Sequence, residues 1–196
     1  MKLLYTKRSP YARKCRIIAL EKNIKLDLME EDLTKKSNDL TLANPLGKIP
    51  TLILDSGEII IDSPVIAEYL DSINDNSIFI PRSGKERFQV LHLAAIADGL
   101  MDVTIAAYME KTRHPQDFNE SFVKAQEETI ARCLKFLDGS VKGLNALNLF
   151  SVATACAIGY MNFRLPQIWR TYQSPKLASW YDQFSKRPSL QATQPG

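Results

Sequence analysis

Pro50 heads the apolar run Thr51-Leu52-Ile53-Leu54, and that placement narrows the folds open to this chain more than any other feature. Proline has no N–H to give to a strand ladder, so it belongs at a strand's first residue or in a special turn. A cis Ile49–Pro50 bond is the sharper expectation, although cis forms make up only about 5–6% of X–Pro bonds in folded proteins and spacing alone does not establish one. Such a bend leaves the N–H and C=O of Ile49 at a sheet edge, able to hold an extended, peptide-like ligand by strand-type hydrogen bonds. The run pairs naturally with Ile59-Ile60-Ile61 across Asp55-Ser56-Gly57-Glu58, a hairpin signature.

Upstream, Lys2 to Thr6 reads as a strand and Ser9-Pro10 as a helix start, with Ser as N-cap and Pro at the first helical position. Ala12, Cys15, Ile18 and Ala19 recur at helical spacing, and Asn23 is a left-handed stop. Lys25 to Met29 predicts a second strand, and a weaker helical signal covers Lys35 to Leu42. After the hairpin, Ser63-Pro64 repeats the N-cap grammar, with Val65, Ile66, Tyr69, Leu70 and Ile73 as the buried face. The order βαβαββα is the thioredoxin-like layout. The polar connection from Asn74 to Gly84 then divides the chain into residues 1–75, a linker at 76–84, and residues 85–196. Beyond it the pattern is all-helical: Glu86 to Arg113 with Gly99 as the expected bend, a helix through Phe122 and Leu137, one capped by Ser151 and running through Tyr160, and one opened by Ser174-Pro175.

Composition excludes several classes. Twenty-five basic against 22 acidic residues give a formal charge of +3, too mild and too dispersed for a nucleic-acid surface. No signal-peptide pattern opens the chain, and no apolar run is expected to reach the roughly 18 residues of a membrane span, so the expectation is a cytoplasmic protein with no membrane partner. Cys15, Cys133 and Cys156 form neither a Cys-x-x-Cys pair nor a metal-ligand cluster. They read as buried structural thiols in a reducing compartment, and His92 and His114 suggest no metal site.

Three stretches together resemble the glutathione S-transferase superfamily: Asn44-Pro45-Leu46-Gly47-Lys48-Ile49-Pro50-Thr51-Leu52, Asp62-Ser63, and Ser9-Pro10-Tyr11-Ala12-Arg13-Lys14. The similarity is greatest to bacterial glutathione transferase-like proteins, and Ala155 to Arg164 also looks like that group's C-terminal domain. The resemblance implies a thioredoxin-like domain that holds glutathione, packed on an all-α bundle that shapes a second, more apolar pocket, in a homodimer.

It also implies roles. Ser9 takes the place where family members present a Ser, Cys or Tyr to the glutathione sulfur; its hydroxyl would donate to the thiolate, although capping alone would account for a Ser-Pro helix start, of which this chain has three. Tyr5 is the second choice, since some classes use a tyrosine at the end of the first strand and a phenol is a donor. Ser63, at a helix N-terminus, suits a ligand carboxylate, and Asp62 suits an amino group, together matching the γ-glutamyl end of glutathione. Ile49 and Pro50 contribute the strand-like edge, and Lys48, less surely Lys35, reaches for the glycyl carboxylate. Asp98 and Asp102 stand one helical turn apart, facing either a dimer partner or solvent. Ser151 and Thr154 fill a position where many members carry a capping box, but the acid is absent.

The function implied is a detoxifying transferase that stabilises the glutathione thiolate for attack on a small electrophile or a disulfide, with glutathione as substrate and no metal. The alternative is a non-catalytic binding or regulatory module of the same fold, like the stringent starvation protein A-like proteins. Fold alone does not decide between them.

Overall fold

The computed structural model describes residues 1–113 and 115–196, with the side chain of Asp75 left aside; His114 lies outside the described residues. Four strands form one sheet in the order β2 (Asp27–Glu30), β1 (Lys2–Tyr5), β3 (Thr51–Ile53), β4 (Ile59–Ile61). β1 pairs parallel with β2 and antiparallel with β3, and β3 pairs antiparallel with β4. Between them run α1 (Pro10–Glu21) and α2 (Asn38–Ala43), and α3 (Ser63–Ser72) follows β4. The expected thioredoxin-like order is therefore present. β2 begins two residues later than the pattern suggested, and α2 begins at Asn38 because Ser37 caps it, its hydroxyl accepting from the Leu40 N–H at 3.0 Å.

Ser9 caps α1 as expected, accepting from the Ala12 N–H at 3.2 Å, and Ser174 caps its helix in the same way. The third Ser-Pro pair departs from that grammar. The residue at the N-cap of α3 is Asp62, at φ 72°, with no side-chain cap bond, and Ser63 is already helical. The tight exit from β4 forces this: Asp62 must turn the chain in a left-handed conformation that Asp tolerates better than most residues.

The remaining helices are α4 (Gly84–Arg113), α5 (Glu120–Gly139), α6 (Val141–Leu144), α7 (Leu149–Arg164), α8 (Pro166–Tyr172), α9 (Pro175–Phe184) and α10 (Pro188–Gln191). α4 runs unbroken through Gly99, so the expected bend is not an interruption. α7 starts earlier than expected and has a capping box after all. Asn148 is its cap, accepting from the Ser151 N–H at 2.9 Å while the Ser151 hydroxyl accepts from the Asn148 N–H at 3.0 Å. Asn and Ser supply the reciprocal bonds that the missing acid would otherwise make. From Leu149 to Met161 every residue of α7 is buried, which makes it the axial helix of the bundle, packed against α4 and α1.

The expectation about apolar runs needs amending. α4 is long and apolar enough, by length and composition, to cross a membrane. In the fold it is a bundle helix: Ala94, Ala97, Leu100, Met101, Thr104 and Ala107 form its buried stripe, and Asp98 ties it to α1.

α1 carries two buried faces. Besides Cys15, Ile17, Ile18 and Ala19, both Arg13 and Lys14 are enclosed. Lys14 is wholly buried and its Nζ donates to both carboxylate oxygens of Asp98, at 2.7 and 2.8 Å. Arg13 donates to the Leu190 carbonyl at 3.1 Å and to Thr193 Oγ1 at 3.4 Å. At the far end of α1, Glu21 accepts a two-pronged bond from Arg187 at 3.0 and 2.8 Å. The chain between α3 and α4 is held by the buried carboxylate of Asp71, which accepts from the N–H groups of Ile78 (2.9 Å), Phe79 (3.1 Å) and Ile80 (2.8 Å) and faces Lys22 Nζ at 3.6 Å.

Candidate functional site

Strand register assembles the site. Leu4 is paired with Thr51, and Thr51 with Ile61. One step outward, Pro50 therefore lies between Tyr5, the last residue of β1, and Asp62, the residue after β4. The turn into α1, the Ile49–Pro50 bond and the start of α3 meet at one end of the sheet. The Ile49–Pro50 bond is cis. Asn44, buried, shapes the approach: its Nδ2 donates to the Lys48 carbonyl at 2.8 Å and to Thr51 Oγ1 at 3.0 Å, while its Oδ1 accepts from the Leu46 N–H at 3.0 Å.

Ser9 is half-buried at this end. Its cap bond uses an oxygen lone pair, and a hydroxyl has two lone pairs and one proton. Capping and donation to a sulfur are thus compatible, not rival roles. Of the first-turn N–H groups of α1, Pro10 has none and that of Ala12 is taken by Ser9, so what α1 directs here is the Tyr11 N–H and the positive end of its dipole. Tyr5 is placed differently: its ring is buried and lies under the Arg16 guanidinium, 4.9 Å from Cζ to centroid.

Ser63 is buried and Asp62 exposed. The Ser63 carbonyl accepts the Cys15 thiol at 3.8 Å, so α1 and α3 touch directly behind the site. Lys48 is exposed, as is Lys35. A third lysine, which the sequence pattern does not single out, lies closer to the loop: a Cβ built on Gly47 (φ +55°) would be 3.0 Å from Lys36 Nζ.

Within the chain Asp98 and Asp102 both have partners on α1, and Asp102 is also exposed. Asp98 holds Lys14, and Asp102 accepts the Tyr11 hydroxyl. Both contacts join α4 to the first two turns of α1. Burial raises the Asp98 carboxyl above the ordinary range in spite of Lys14, and neighbouring Asp102 and Asp62 add to that. Burial first, then Asp102, keeps Tyr11 firmly a phenol. The two deeply buried thiols are pushed up, Cys15 to about 12 and Cys156 to about 11, which leaves both inert as nucleophiles at neutral pH. Thiol chemistry at this site has to come from a ligand.

In the helical half, Met101 is fully buried in the core, Ile105 and Tyr108 are half-buried and Phe163 is exposed. The last two flank Arg164, which ends the family-like stretch 155–164 but to which the sequence alone assigns no role.

A thioredoxin-like sheet whose cis-proline edge is joined to an all-α bundle defines the glutathione-transferase class of fold. Residues 3–77 match the glutathione S-transferase N-terminal domain. Over its full length the chain is 35% identical to the uncharacterized GST-like protein YibF of Escherichia coli (strain K12), covering 98% of that protein. Among solved structures, a glutathione transferase family member from Pseudomonas fluorescens Pf-5 with bound glutathione superposes at TM-score 0.91 with 35% identity, over 100% of this chain and 98% of the other. The same bacterium's family member with bound S-(propanoic acid)-glutathione gives 0.89, at 35% identity and full coverage of both chains. A glutathione S-transferase from Methylobacillus flagellatus KT with glutathione bound gives 0.91, at 34% identity over 100% and 99%. The chain belongs to the glutathione S-transferase family.

Proposed function

We propose that this protein is a glutathione-dependent transferase: residues 1–75 bind glutathione, Ser9 favours its thiolate, and that sulfur attacks a small electrophile or a disulfide beside the helical residues 85–196. The carrying observation is the strand register that gathers Ser9, Ile49–Pro50 and Asp62–Ser63 at one end of the sheet. Support comes from relatives about 35% identical over the whole chain that bind glutathione and a glutathione conjugate. In this reading the γ-glutamyl carboxylate sits on the Ser63 N–H and hydroxyl, its ammonium beside Asp62, the cysteinyl backbone along Ile49, and the glycyl carboxylate near Lys48 and Lys36. The Ser9 proton goes to the sulfur. Catalysis then consists of orienting the ligand's thiol and stabilising its anion, with no covalent protein intermediate. Ser9 takes this role over Tyr5 because the Tyr5 ring is packed under Arg16.

A homodimer belongs to the same proposal. Phe88, on α4, is 71% exposed and Val65, on α3, 54%, and the two helices are joined by the Arg87–Glu68 pair. Such an apolar pair suits a self-complementary interface.

Calorimetry with glutathione, together with a conjugation assay, tests the reading. Ser63→Ala should weaken binding by about tenfold or more, the scale of a lost charge-assisted hydrogen bond. Ser9→Ala should bind glutathione nearly as wild type while the thiolate absorbance of the complex appears at higher pH and turnover falls by about tenfold to a hundredfold. A wild-type protein that binds no glutathione would remove the site reading and leave the non-catalytic module in its place.

A further inference from the structure

Arg164, at the C-terminal end of α7, is enclosed in a way that a structural ion pair does not explain. Its guanidinium lies 4.1 Å from the Phe163 ring centroid and 4.5 Å from that of Tyr108, with Tyr160 at 6.0 Å. Nη1 donates to the Tyr108 hydroxyl at 3.1 Å. Nε is buried and donates to no group. Among the described residues no carboxylate pairs with this cation. Half-buried charges are normally paired; here aromatic faces and phenol oxygens hold the cation in place and leave its charge unanswered. Stacking fixes the plane of the group, and Nε belongs to the fork of parallel N–H bonds that fits a carboxylate.

The position is equally specific. Tyr160 lies within electrostatic range of Tyr11, on the first turn of α1, and of Arg8, the residue before Ser9. Tyr11 bonds Asp102 of α4, the helix that carries Tyr108, so the cluster lies near the end of α1 where the proposed thiolate sits, and Arg8 adds a second positive charge.

We propose that Arg164 is a specificity-determining residue that selects electrophiles carrying a carboxylate, which it holds beside the glutathione sulfur. The inference rests on the glutathione-binding reading above and adds the class of the second substrate. For an α,β-unsaturated acid the step is an addition. The thiolate sulfur forms a bond to the β-carbon, the π pair moves to the α-carbon, and a solvent proton is taken up there; nothing leaves. The carboxylate remains in the product and stays on Arg164.

The test compares the affinities of three ligands by calorimetry: glutathione, S-(propanoic acid)-glutathione and S-propylglutathione. Wild type should bind the acid conjugate about tenfold more tightly than the propyl conjugate, the scale of one charge-assisted contact at a partly exposed site. Arg164→Met should abolish that preference and leave glutathione affinity unchanged, which also shows that the variant is folded. Tyr108→Phe, which removes the oxygen that steadies Nη1, should reduce the preference severalfold with the same glutathione control. If wild type binds glutathione but treats the two conjugates alike, or if Arg164→Met keeps the preference, the inference is overturned while the glutathione site stands. If glutathione itself does not bind, both fall together.

Discussion

The Lys14–Asp98 pair gives an asymmetric prediction, because its two members are not equally enclosed. The Lys14 side chain is 0% exposed and Asp98 20%. Asp98→Ala leaves an ammonium sealed between α1 and α4 with no carboxylate, a situation that costs about 3–5 kcal/mol in buried pairs; partial exposure of Asp98 places this one near about 3 kcal/mol. Lys14→Met keeps the stem's packing and leaves behind a carboxyl that water can reach and that burial already biases toward its neutral form, so its cost should be about 1–2 kcal/mol. Replacing both, as Lys14→Met with Asp98→Leu, removes the unpaired charge entirely and should stay within about 1 kcal/mol of wild type. At about 2–4 °C per kcal/mol for a chain of this size, the expected losses of Tm are about 6–12 °C for Asp98→Ala, about 2–8 °C for Lys14→Met and no more than about 4 °C for the double variant. Calorimetric or circular-dichroism melting at neutral pH measures all three. Equal costs for the single variants, with the double equal to their sum, would refute the claim that the pair's importance lies in not being broken.

Gly159→Ala should destabilise despite better helix propensity: the gain is about 1 kcal/mol, but the new Cβ would sit 2.3 Å from Arg13 Nη1 and 3.0 Å from the Tyr181 hydroxyl, and overpacking of about 1–3 kcal/mol plus displaced Arg13 bonds should leave a net loss of about 1–3 kcal/mol in urea unfolding. Asp71→Ala strips an acceptor from three consecutive N–H groups and a charge from Lys22, and chemical denaturation should show a loss of about 3 kcal/mol or more; Asp71→Asn, which keeps one acceptor oxygen, should lose less. Cys15 and Cys156 should resist a thiol reagent in the native state at pH 8 and react only on unfolding. Because their folded values, about 12 and about 11, lie above the unfolded one, their contribution is intact below about pH 8.5. It declines above that pH as the unfolded chain alone releases protons, so an alkaline stability titration should steepen there and flatten in the double Cys→Ala variant.

Elements with local grammar were readable from the chain: the hairpin around Gly57, the caps Ser9 and Ser174, and the apolar spacing of α7. The cis bond at Ile49–Pro50 was legible as an expectation because proline limits its own surroundings. What was hidden depends on partners distant in sequence. Arg13, Lys14 and Asp98 look like ordinary surface charges on their helices, and only the packing of α1 against α4 and α7 shows otherwise. Asp71 gives no sequence sign of the connection it holds. Asn148-x-x-Ser151 gives a weak sequence signal because the usual capping box carries an acid at the third helical position, although Asn and Ser can exchange the same two bonds. α8 and α10 had a usable signal, Pro166 and Pro188 at first helical positions, but are too short for periodicity to reveal. The role proposed for Arg164 had none: it rests on the lack of a carboxylate partner among the described residues, which cannot be read from a pattern.

α1 connects these observations. One end presents Ser9 and the helix dipole to the proposed sulfur position, one face meets α3 through Cys15, another meets α4 through Lys14 and Tyr11, and Arg13 reaches Leu190 and Thr193 near the C-terminus. A helix fixed on so many sides is a poor hinge and a good reference: the sulfur-facing end cannot shift relative to Arg164 without breaking contacts that are buried and charged. A site that makes no covalent bond to its substrate depends on that fixity, because its contribution is the distance between a thiolate and an electrophile. Variants at Lys14 or Asp98 that still fold should therefore lose more in turnover than in glutathione affinity, since the proposed site puts glutathione on the sheet edge and α3 and the electrophile across the α1–α7 boundary. Equal losses in both would mean that α1 serves the binding site alone.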